Sequence, residues 1–212
     1  VADWLARGGG GVVRINGVET PWYSDDLAMV TEYGCPVMVP KADPETLRSA
    51  RLAAPVIALI ETAAGVLAAA EICAVETVVR AAFGSIDLAA ELGVDPEVRE
   101  ALQYARSAVV LGAAAAGQAA PLDGVTTDLQ NDESLRADVA HAVRLGFGGK
   151  LCIHPRQIAH VNEQFAPTAD ELDWARQVVA VAADGGVRAV DGKMVDKPVV
   201  DRARRILARG NR

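Results

Sequence analysis

The sequence predicts an α/β protein with a parallel sheet, because strand-like and helix-like patterns alternate through most of its 212 residues. Its core must be aliphatic, since 51% of the residues are hydrophobic but only 4% are aromatic. Such a core is typical of helices packed on a parallel sheet. Two short apolar runs also lead into single acidic residues, Glu61 and Asp87, as expected for strands with functional groups at their C-terminal ends.

The first half of the chain predicts four strands. They are expected over residues 11–16, 35–41, 56–60 and 78–83. A helix from about Ser24 follows the first strand, and Asp43-Pro44-Glu45 supplies a cap and a first-turn proline for the second helix. The third helix is predicted over 62–74, and the fourth strand ends in a loop over 84–87.

Two more strand–helix units complete the alternating part. Their strands are predicted over 123–127 and 150–154. A long helix precedes the first of them; Asp95-Pro96-Glu97 is predicted to start it with a cap and a proline, and it ends near Gly117. The helix after the first of these strands is expected to end at Gly146. The helix after the second is expected to begin after Pro155. Six βα units are too few for a closed eight-unit barrel, so either the sheet is open or two N-terminal units are absent from this chain.

Beyond Phe165 the alternation stops. Thr168 and Glu171 form a capping box for a helix through about Ala183, and a last helix is predicted from Pro198. We therefore predict a barrel domain over 1–165 and a C-terminal helical extension over 166–212. The segment 184–197 within that extension has no core periodicity and is predicted to act as a lid.

Charge and hydropathy exclude several classes of protein. The net charge is −7 with no basic stripe, so we expect no nucleic-acid partner. The most apolar region contains Glu61 and Glu71, which argues against a membrane span, and the start of the chain has no signal-peptide pattern. Three scattered cysteines predict reduced thiols and a cytoplasmic location; they are Cys35, Cys73 and Cys152.

The two acidic residues predict a metal site. Glu61 and Asp87 are 26 positions apart, about one βα unit, so neighbouring parallel strands would bring both carboxylates to one edge. Two hard oxygen ligands suit Mg²⁺, which prefers one or two carboxylates with water and substrate oxygens. The alternative is that both are helix caps or first-turn acids, which fits Asp87 better than Glu61.

Other polar residues near predicted strand ends leave alternatives open. Arg14 could bind a substrate carboxylate or form a surface ion pair, although burial within a strand run would require a partner. Lys41 could be a Schiff-base lysine or a supporting charge. His154 could be an acid–base group or a hydrogen-bonding residue. His141 and His160 are interpreted as surface or packing residues, and Asp123 and Asp128 as turn or capping residues.

Seven motifs stand in the order found in a known family. They are residues 14–16 (RIN), 39–41 (VPK), 60–63 (IETA), 83–88 (FGSIDL), 146–150 (GFGGK), 153–158 (IHPRQI) and 191–196 (DGKMVD). The chain resembles the citrate lyase β-subunit-like group of the HpcH/HpaI aldolase superfamily over essentially its whole length. That resemblance implies a (β/α)8 TIM barrel that performs Mg²⁺-dependent carbon–carbon cleavage or condensation of 3-hydroxyacyl thioesters.

The resemblance also implies roles for individual residues. Glu61 and Asp87 carry over as ligands of Mg²⁺, and Arg14 as a catalytic and substrate-binding residue. Gly84 and Ser85 carry over as substrate-binding residues. Asp196 matches a catalytic aspartate that reaches a neighbouring subunit's site, with an N-cap for the last helix as the alternative. Lys41 then becomes a supporting charge.

The family's first two motifs, Phe-Val-Pro-Gly-x-Arg and Asp-Leu-Glu-Asp, do not occur here. We therefore expect a chain that lacks the first two βα units of the barrel, and coenzyme A phosphate contacts in that region stay unassigned. The predicted function is Mg²⁺-dependent cleavage of a malyl-, citramalyl- or citryl-type CoA thioester to a 2-oxo acid and an acyl-CoA. The alternatives are an acyl-CoA thioesterase and a citrate lyase β subunit acting on citryl-acyl-carrier protein. A homotrimer or hexamer is expected.

Overall fold

The computed structural model describes residues 1–183, 188–190 and 193–210. The chain divides into two compact units, Val1–Val161 and Asn162–Arg212. Unit 1 contains a six-stranded sheet in the order β1-β2-β3-β4-β5-β6, in which every neighbouring pair is parallel. Its strands are β1 Val13–Arg14, β2 Val37–Val39, β3 Val56–Ile60, β4 Val78–Phe83, β5 Leu122–Asp123 and β6 Gly149–Lys150. The prediction of an α/β fold with six parallel strands is confirmed.

Helices lie between the consecutive strands and at both ends of the sheet segment. They are α1 Ala2–Ala6, α2 Tyr23–Tyr33, α3 Pro44–Ser49, α4 Ala63–Leu67, α5 Ala69–Cys73, α6 Ser85–Leu92, α7 Arg99–Ala115, α8 Asp132–Leu145 and α9 Arg156–Phe165. Helices α3, α4 and α8 begin at residues whose side chains cap them. The Asp43 carboxylate accepts the N–H groups of Glu45 and Thr46, as the sequence predicted. Gly146 ends α8 in the left-handed conformation that glycine adopts at low energy.

Strands β5 and β6 are shorter than predicted and do not extend through 127 and 154. The Gln157 side chain replaces ladder hydrogen bonds at this point. Its Oε1 accepts the N–H groups of Ile153 and His154, and its Nε2 donates to the Thr126 carbonyl at 3.0 Å. Because one buried amide satisfies the backbone groups beyond both strands, the chain leaves the sheet early.

Two helix predictions and one loop prediction were also wrong in their boundaries. The helix expected over 62–74 is two helices, because Ala68 leaves the helical conformation at φ −94°, ψ 12°. Residues 84–87 do not form a loop, since Ser85 already begins α6. The Asp95 carboxylate accepts the Glu97 N–H at 2.9 Å, which closes a turn and delays the start of α7.

Aliphatic side chains from β3, β4 and the covering helices form the core of unit 1. The largest fully buried side chains include Ile60, Phe83, Ile72, Leu88 and Leu102. Helix α7 approaches α5 closely because Gly112 has no side chain: a Cβ there would lie 2.9 Å from the Cβ of Ala69. All three cysteines are free thiols, and Cys35 and Cys73 are buried.

Unit 2 contains two helices and a β-hairpin. Helix α10 spans Ala169–Ala183, β7 Arg188–Val190 pairs antiparallel with β8 Lys193–Val195, and α11 spans Lys197–Gly210. The predicted capping box is confirmed, because Thr168 and Glu171 exchange side-chain to backbone hydrogen bonds. The predicted lid over 184–197 therefore includes this hairpin, while its residues 184–187 and 191–192 lie outside the described residues.

The apolar core of unit 2 joins α10 to α11. Its fully packed members are Ala175, Val178, Ala203 and Ile206. Within residues 1–183, 188–190 and 193–210, none of the helices combines the length and apolarity that crossing a membrane requires.

Candidate metal centre

The C-terminal edge of the sheet gathers most of the polar residues that the sequence singled out. Arg14 ends β1, and Glu61 directly follows Ile60, whose register partner is Phe83 at the end of β4. Parallel strands end at one edge, so Arg14, Lys41, Glu61 and Gly84 are neighbours there. Electrostatic coupling agrees with this position, because the charges of Arg14, Lys41 and Asp87 all act on the Glu61 carboxyl.

Glu61 is buried, with only 6% of its surface exposed. Its Oε1 accepts the backbone N–H of Lys41 at 2.9 Å. Burial raises the pKa of Glu61, and the nearby Asp87 carboxylate raises it further; the Lys41 N–H and the charges of Arg14 and Lys41 oppose this shift. The capping alternative does not apply, because Thr62 Oγ1, not Glu61, accepts the Gly65 N–H in the first turn of α4.

Lys41 holds Glu61 through its backbone and not through its amine. Its φ of +44° is left-handed, which is uncommon for a residue with a side chain. The Lys41 amine forms an ion pair with Glu19, and this hydrogen bond raises the pKa of Lys41. An amine kept protonated in this way is unsuited to Schiff-base chemistry, which agrees with the supporting role.

Gly84 provides the space that the Glu61 side chain occupies. A Cβ on Gly84 would lie 2.3 Å from the Glu61 Cβ and 2.6 Å from its Oε2. The Gly84 N–H also donates to the Ile60 carbonyl at 2.9 Å, which fixes the two strand ends together. Only glycine fits this close approach, so Gly84 shapes the site whatever its contacts with substrate.

Asp87 and Ser85 lie in the first turn of α6. Asp87 is exposed and third in the helix, where the helix dipole favours a carboxylate, so the first-turn interpretation fits its position. Asp87 is nevertheless three residues after Gly84, which packs directly against Glu61, and its charge raises the pKa of Glu61. Ser85 is buried and faces β5, since a Cβ on Gly124 would lie 2.4 Å from the Ser85 hydroxyl.

Arg14 is exposed, so the expectation that burial in a strand would force it to find a partner was wrong. Among the described residues, its guanidinium has no hydrogen bond or ion pair, and it lowers the pKa of Glu61 through its charge. The guanidinium is therefore available to a ligand at this edge.

Asp196 belongs to unit 2. It is exposed, and its Oδ1 accepts the Val199 N–H at 3.2 Å at the start of α11. The N-cap alternative therefore describes its contact within its own unit.

Sequence reasoning misjudged Asp123 and left His154 undecided. Asp123 was assigned to a turn but is 1% exposed, and it forms ion pairs with Arg106 and Lys150. The sequence signal that could have revealed the role of Asp123 is Gly124, which directly follows β5 as Gly84 directly follows β4. His154 is an exposed hydrogen-bonding residue whose Nδ1 accepts the Arg156 N–H at 3.2 Å.

The sequence predictions for Asp128 and His141 had different outcomes. The turn role of Asp128 is confirmed, because its Oδ1 accepts the Gln130 N–H at 2.8 Å. His141 is half-buried and lines a polar pocket, which the surface or packing interpretation did not foresee.

Glu61 and Asp87 are the two carboxylates available for a cation at this edge. In the described part of the chain, no group of three or more His, Cys, Asp and Glu side chains could hold a metal ion. A pair of carboxylates fits Mg²⁺, which completes its coordination with water and substrate oxygens, better than Zn²⁺, which takes three or four protein ligands.

A parallel α/β sheet with a carboxylate pair at its C-terminal edge is typical of α/β enzymes that use an oxygen-liganded metal. The chain belongs to the HpcH/HpaI aldolase/citrate lyase family, whose model matches residues 6–155. Membership of this family supports an enzymatic role.

The relatives that the chain matches carry more than one kind of name. A citrate lyase subunit beta-like protein from Deinococcus radiodurans is 39% identical over 92% of this chain and 74% of its own length. A (3S)-malyl-CoA thioesterase from Cereibacter sphaeroides is 35% identical over 93% of this chain and 73% of its own length.

A solved structure agrees in fold. The crystal structure of the protein CitE from Mycobacterium tuberculosis, in complex with magnesium, acetoacetate and coenzyme A, superposes with a TM-score of 0.83. It is 36% identical in sequence, and the match covers 95% of this chain and 78% of that one.

Proposed function

We propose that this protein is a Mg²⁺-dependent carbon–carbon lyase. It cleaves a 3-hydroxyacyl-CoA thioester of the malyl, citramalyl or citryl type to a 2-oxo acid and an acyl-CoA. The observation that carries the proposal is the buried Glu61 carboxylate beside Asp87, at the sheet edge where such folds have their active sites. The related protein crystallised with magnesium and coenzyme A supports it.

Glu61 and Asp87 would hold the magnesium ion. Burial and the charge of Asp87 raise the pKa of Glu61. A divalent cation offsets both effects. When bound, magnesium supplies a Lewis acid that polarises the reacting oxygens of the substrate.

The remaining residues of the site bind and orient the substrate. The Arg14 guanidinium pairs with its carboxylate and stabilises negative charge that develops on the thioester enolate. Gly84 and Ser85, where α6 begins, bind the other end of the oxo acid. The Gly84 N–H is engaged by the Ile60 carbonyl, so the donor is a first-turn N–H such as that of Ser85. The Asp196 carboxyl group of a neighbouring subunit gives its proton to the enolate carbon, which forms the acyl-CoA product, and the proton released from the substrate hydroxyl restores that carboxyl group.

A second part of the proposal concerns the fold. We propose that the six strands belong to a (β/α)8 barrel, because a six-stranded parallel sheet leaves β1 and β6 as edges, which isolated soluble sheets avoid. Residues 1–165 form the catalytic domain in this proposal, and 166–212 the C-terminal extension. The functional particle is a cytoplasmic homotrimer or hexamer, which light scattering on the purified protein tests.

Thioester hydrolysis is the second candidate. The 35% identical (3S)-malyl-CoA thioesterase favours it, because the same carboxylate pair and arginine could serve attack by water on the thioester carbonyl. Product analysis separates the two reactions. A lyase releases a 2-oxo acid and a shorter acyl-CoA, whereas a thioesterase releases the intact hydroxy acid and free coenzyme A. A requirement for partner subunits and an acyl-carrier protein would instead indicate a citrate lyase β subunit.

The decisive experiment compares wild type, Glu61→Gln and Glu76→Gln on malyl-, citramalyl- and citryl-CoA with and without magnesium. Glu76 is an exposed carboxylate outside the site, so its variant controls for loss of one negative charge. We expect 2-oxo acid only when magnesium is present, its loss in Glu61→Gln and its retention in Glu76→Gln. Full activity of Glu61→Gln would contradict the proposal.

A further inference from the structure

We propose that unit 1 contains a second binding site, for a small phosphate-type oxyanion, which adjoins the start of α6: its lining includes Ser85 and Ile86 but neither Glu61 nor Asp87. The site is a polar pocket of about 210 Å³ that lies between α7 and α8 at the C-terminal end of β5. Arg99 and Arg106, seven residues apart, line it from α7. Ser134, Asp138 and His141 line it from α8.

A buried excess of positive charge lies at one wall of this pocket. Asp123 accepts the Arg106 Nε at 2.9 Å and lies 3.4 Å from the Lys150 Nζ. The three residues are 1%, 6% and 8% exposed, respectively, so two cations face one carboxylate away from water. Burying a net charge is unfavourable, and an anion in the adjacent pocket would neutralise it.

Nitrogen atoms without partners surround the same pocket. Among the described residues, no hydrogen-bond partner is present for three buried atoms: Arg106 Nη1, Arg99 Nε and His141 Nε2. The Arg106 side chain is more than nine-tenths buried, and its guanidinium packs 5.1 Å above the Phe83 ring. Such donors normally find an acceptor, and the oxygens of a phosphate group are strong acceptors for guanidinium N–H groups.

The carboxylates that line the pocket are already engaged or lie in solvent. Asp138 accepts from Arg99 Nη2 at 3.0 Å and from the Thr126 hydroxyl at 2.8 Å. Asp123 is held by its two cations, and Glu97 is exposed. The pocket therefore offers unused donors and no unpaired buried acid, which selects an anion over a metal cation.

The state of His141 agrees with a positive potential in this pocket. Burial lowers the pKa of His141, and the charges of Arg106, Arg99 and Arg144 lower it further, while the Asp123 carboxylate opposes them. Three cations therefore lie close enough to act on the imidazole. A bound oxyanion would reverse that effect, which makes His141 a built-in reporter.

Histidine NMR on the whole protein tests the site with inorganic phosphate and sulfate as probes. The chain has three histidines, and His154 and His160 do not line the pocket, so they serve as internal references. We expect phosphate to shift the His141 resonances saturably and to leave the other two nearly unchanged. Sulfate should compete, whereas chloride at equal ionic strength should not.

Three variants separate a specific site from general charge effects. Arg99→Gln removes a partly exposed donor, and we expect it to weaken phosphate binding about tenfold, the size of one charge-assisted hydrogen bond. Arg106→Lys keeps a cation opposite Asp123 but lacks the second planar nitrogen, so binding should weaken while the circular dichroism spectrum stays unchanged. Arg136→Gln on the exposed part of α8 should bind like wild type.

The source of the phosphate group is resolved by a second titration. Competition by adenosine 3′,5′-bisphosphate would assign the site to a nucleotide, and its failure to compete would assign the site to the free ion; both outcomes support an oxyanion site. An unshifted His141 in millimolar phosphate, or equal shifts in wild type, Arg99→Gln and Arg106→Lys, would overturn the proposal. Neither readout requires magnesium or turnover.

Discussion

The backbone N–H of Lys41 donates a 2.9 Å hydrogen bond to Oε1 of Glu61 from a left-handed conformation with φ +44°. Adopting that conformation costs a residue with a side chain about 1 kcal/mol or more. The site thus holds its buried carboxylate with a strained peptide group, while the lysine amine is directed to Glu19.

This arrangement predicts opposite results for two substitutions of Lys41. Lys41→Gly keeps the N–H and relieves the strain, so magnesium affinity should be retained. Lys41→Pro removes the N–H and fixes φ near −65°, so we expect at least about a tenfold loss of affinity by isothermal titration calorimetry.

Arg51 provides the matched control for those variants. It is also left-handed, at φ +46°, but it is not among the groups that act on Glu61. Arg51→Pro should change the free energy of unfolding and not magnesium affinity. Equal binding by Lys41→Pro and wild type would contradict the role of the peptide group.

Gly84→Ala should displace Glu61. The new methyl group would lie 2.3 Å from the Glu61 Cβ, and overpacking of this kind destabilises a protein by about 1–3 kcal/mol. We expect a lower melting temperature together with a large loss of lyase activity. Gly10→Ala is the control, because a Cβ there meets nothing within 4 Å and its backbone is not left-handed. An active, stable Gly84→Ala would refute the close-approach interpretation.

Magnesium affinity should fall as the pH decreases. The pKa of Glu61 is raised above 4.5 by burial and by Asp87, so the folded protein protonates this carboxyl more readily than the unfolded chain. Without metal, the folded state is relatively favoured below pH 4.5 and loses that advantage as the pH rises through the raised pKa. Magnesium binding within this window should release a proton, which calorimetry in buffers of different ionisation enthalpy measures.

Two variants of Asp196 separate its cap from its proposed catalytic role. Asp196→Ser keeps a side-chain acceptor for the Val199 N–H, whereas Asp196→Ala removes it and should destabilise α11 by about 1 kcal/mol. If the carboxylate also delivers a proton, kcat should drop strongly in both variants while the melting temperature falls only in Asp196→Ala. Normal kcat in Asp196→Ser would leave the cap as its sole function.

His141 should make stability depend on pH. Its pKa is lowered from 6.5 by burial and then by Arg106, Arg99 and Arg144, so the unfolded chain binds a proton more readily. Its contribution to stability is present above pH 6.5 and is lost as the pH falls through the lowered pKa. In His141→Gln, urea unfolding curves should show a flatter pH dependence over that range, whereas His160→Gln should follow wild type.

The sequence by itself determined the alternation of strands and helices, because each run carries its own periodicity and caps. Strands β3 and β4 begin and end at the predicted residues, since their continuous apolar runs are bounded by polar or glycine residues. It also placed Glu61 and Arg14 at strand ends, which depends only on local pattern and on parallel order.

Contacts between distant residues were decided by the tertiary structure alone. Gln157 ends two strands, Lys41 holds Glu61 with its backbone, and Arg106 and Lys150 converge on Asp123. The hydrogen-bonded residues that lie on different elements are 17 to 31 positions apart in the sequence. No local periodicity therefore encodes these contacts. The burial and charge that tune each carboxyl arise only when folding brings those residues together, because desolvation and Coulomb energies depend on distance in space.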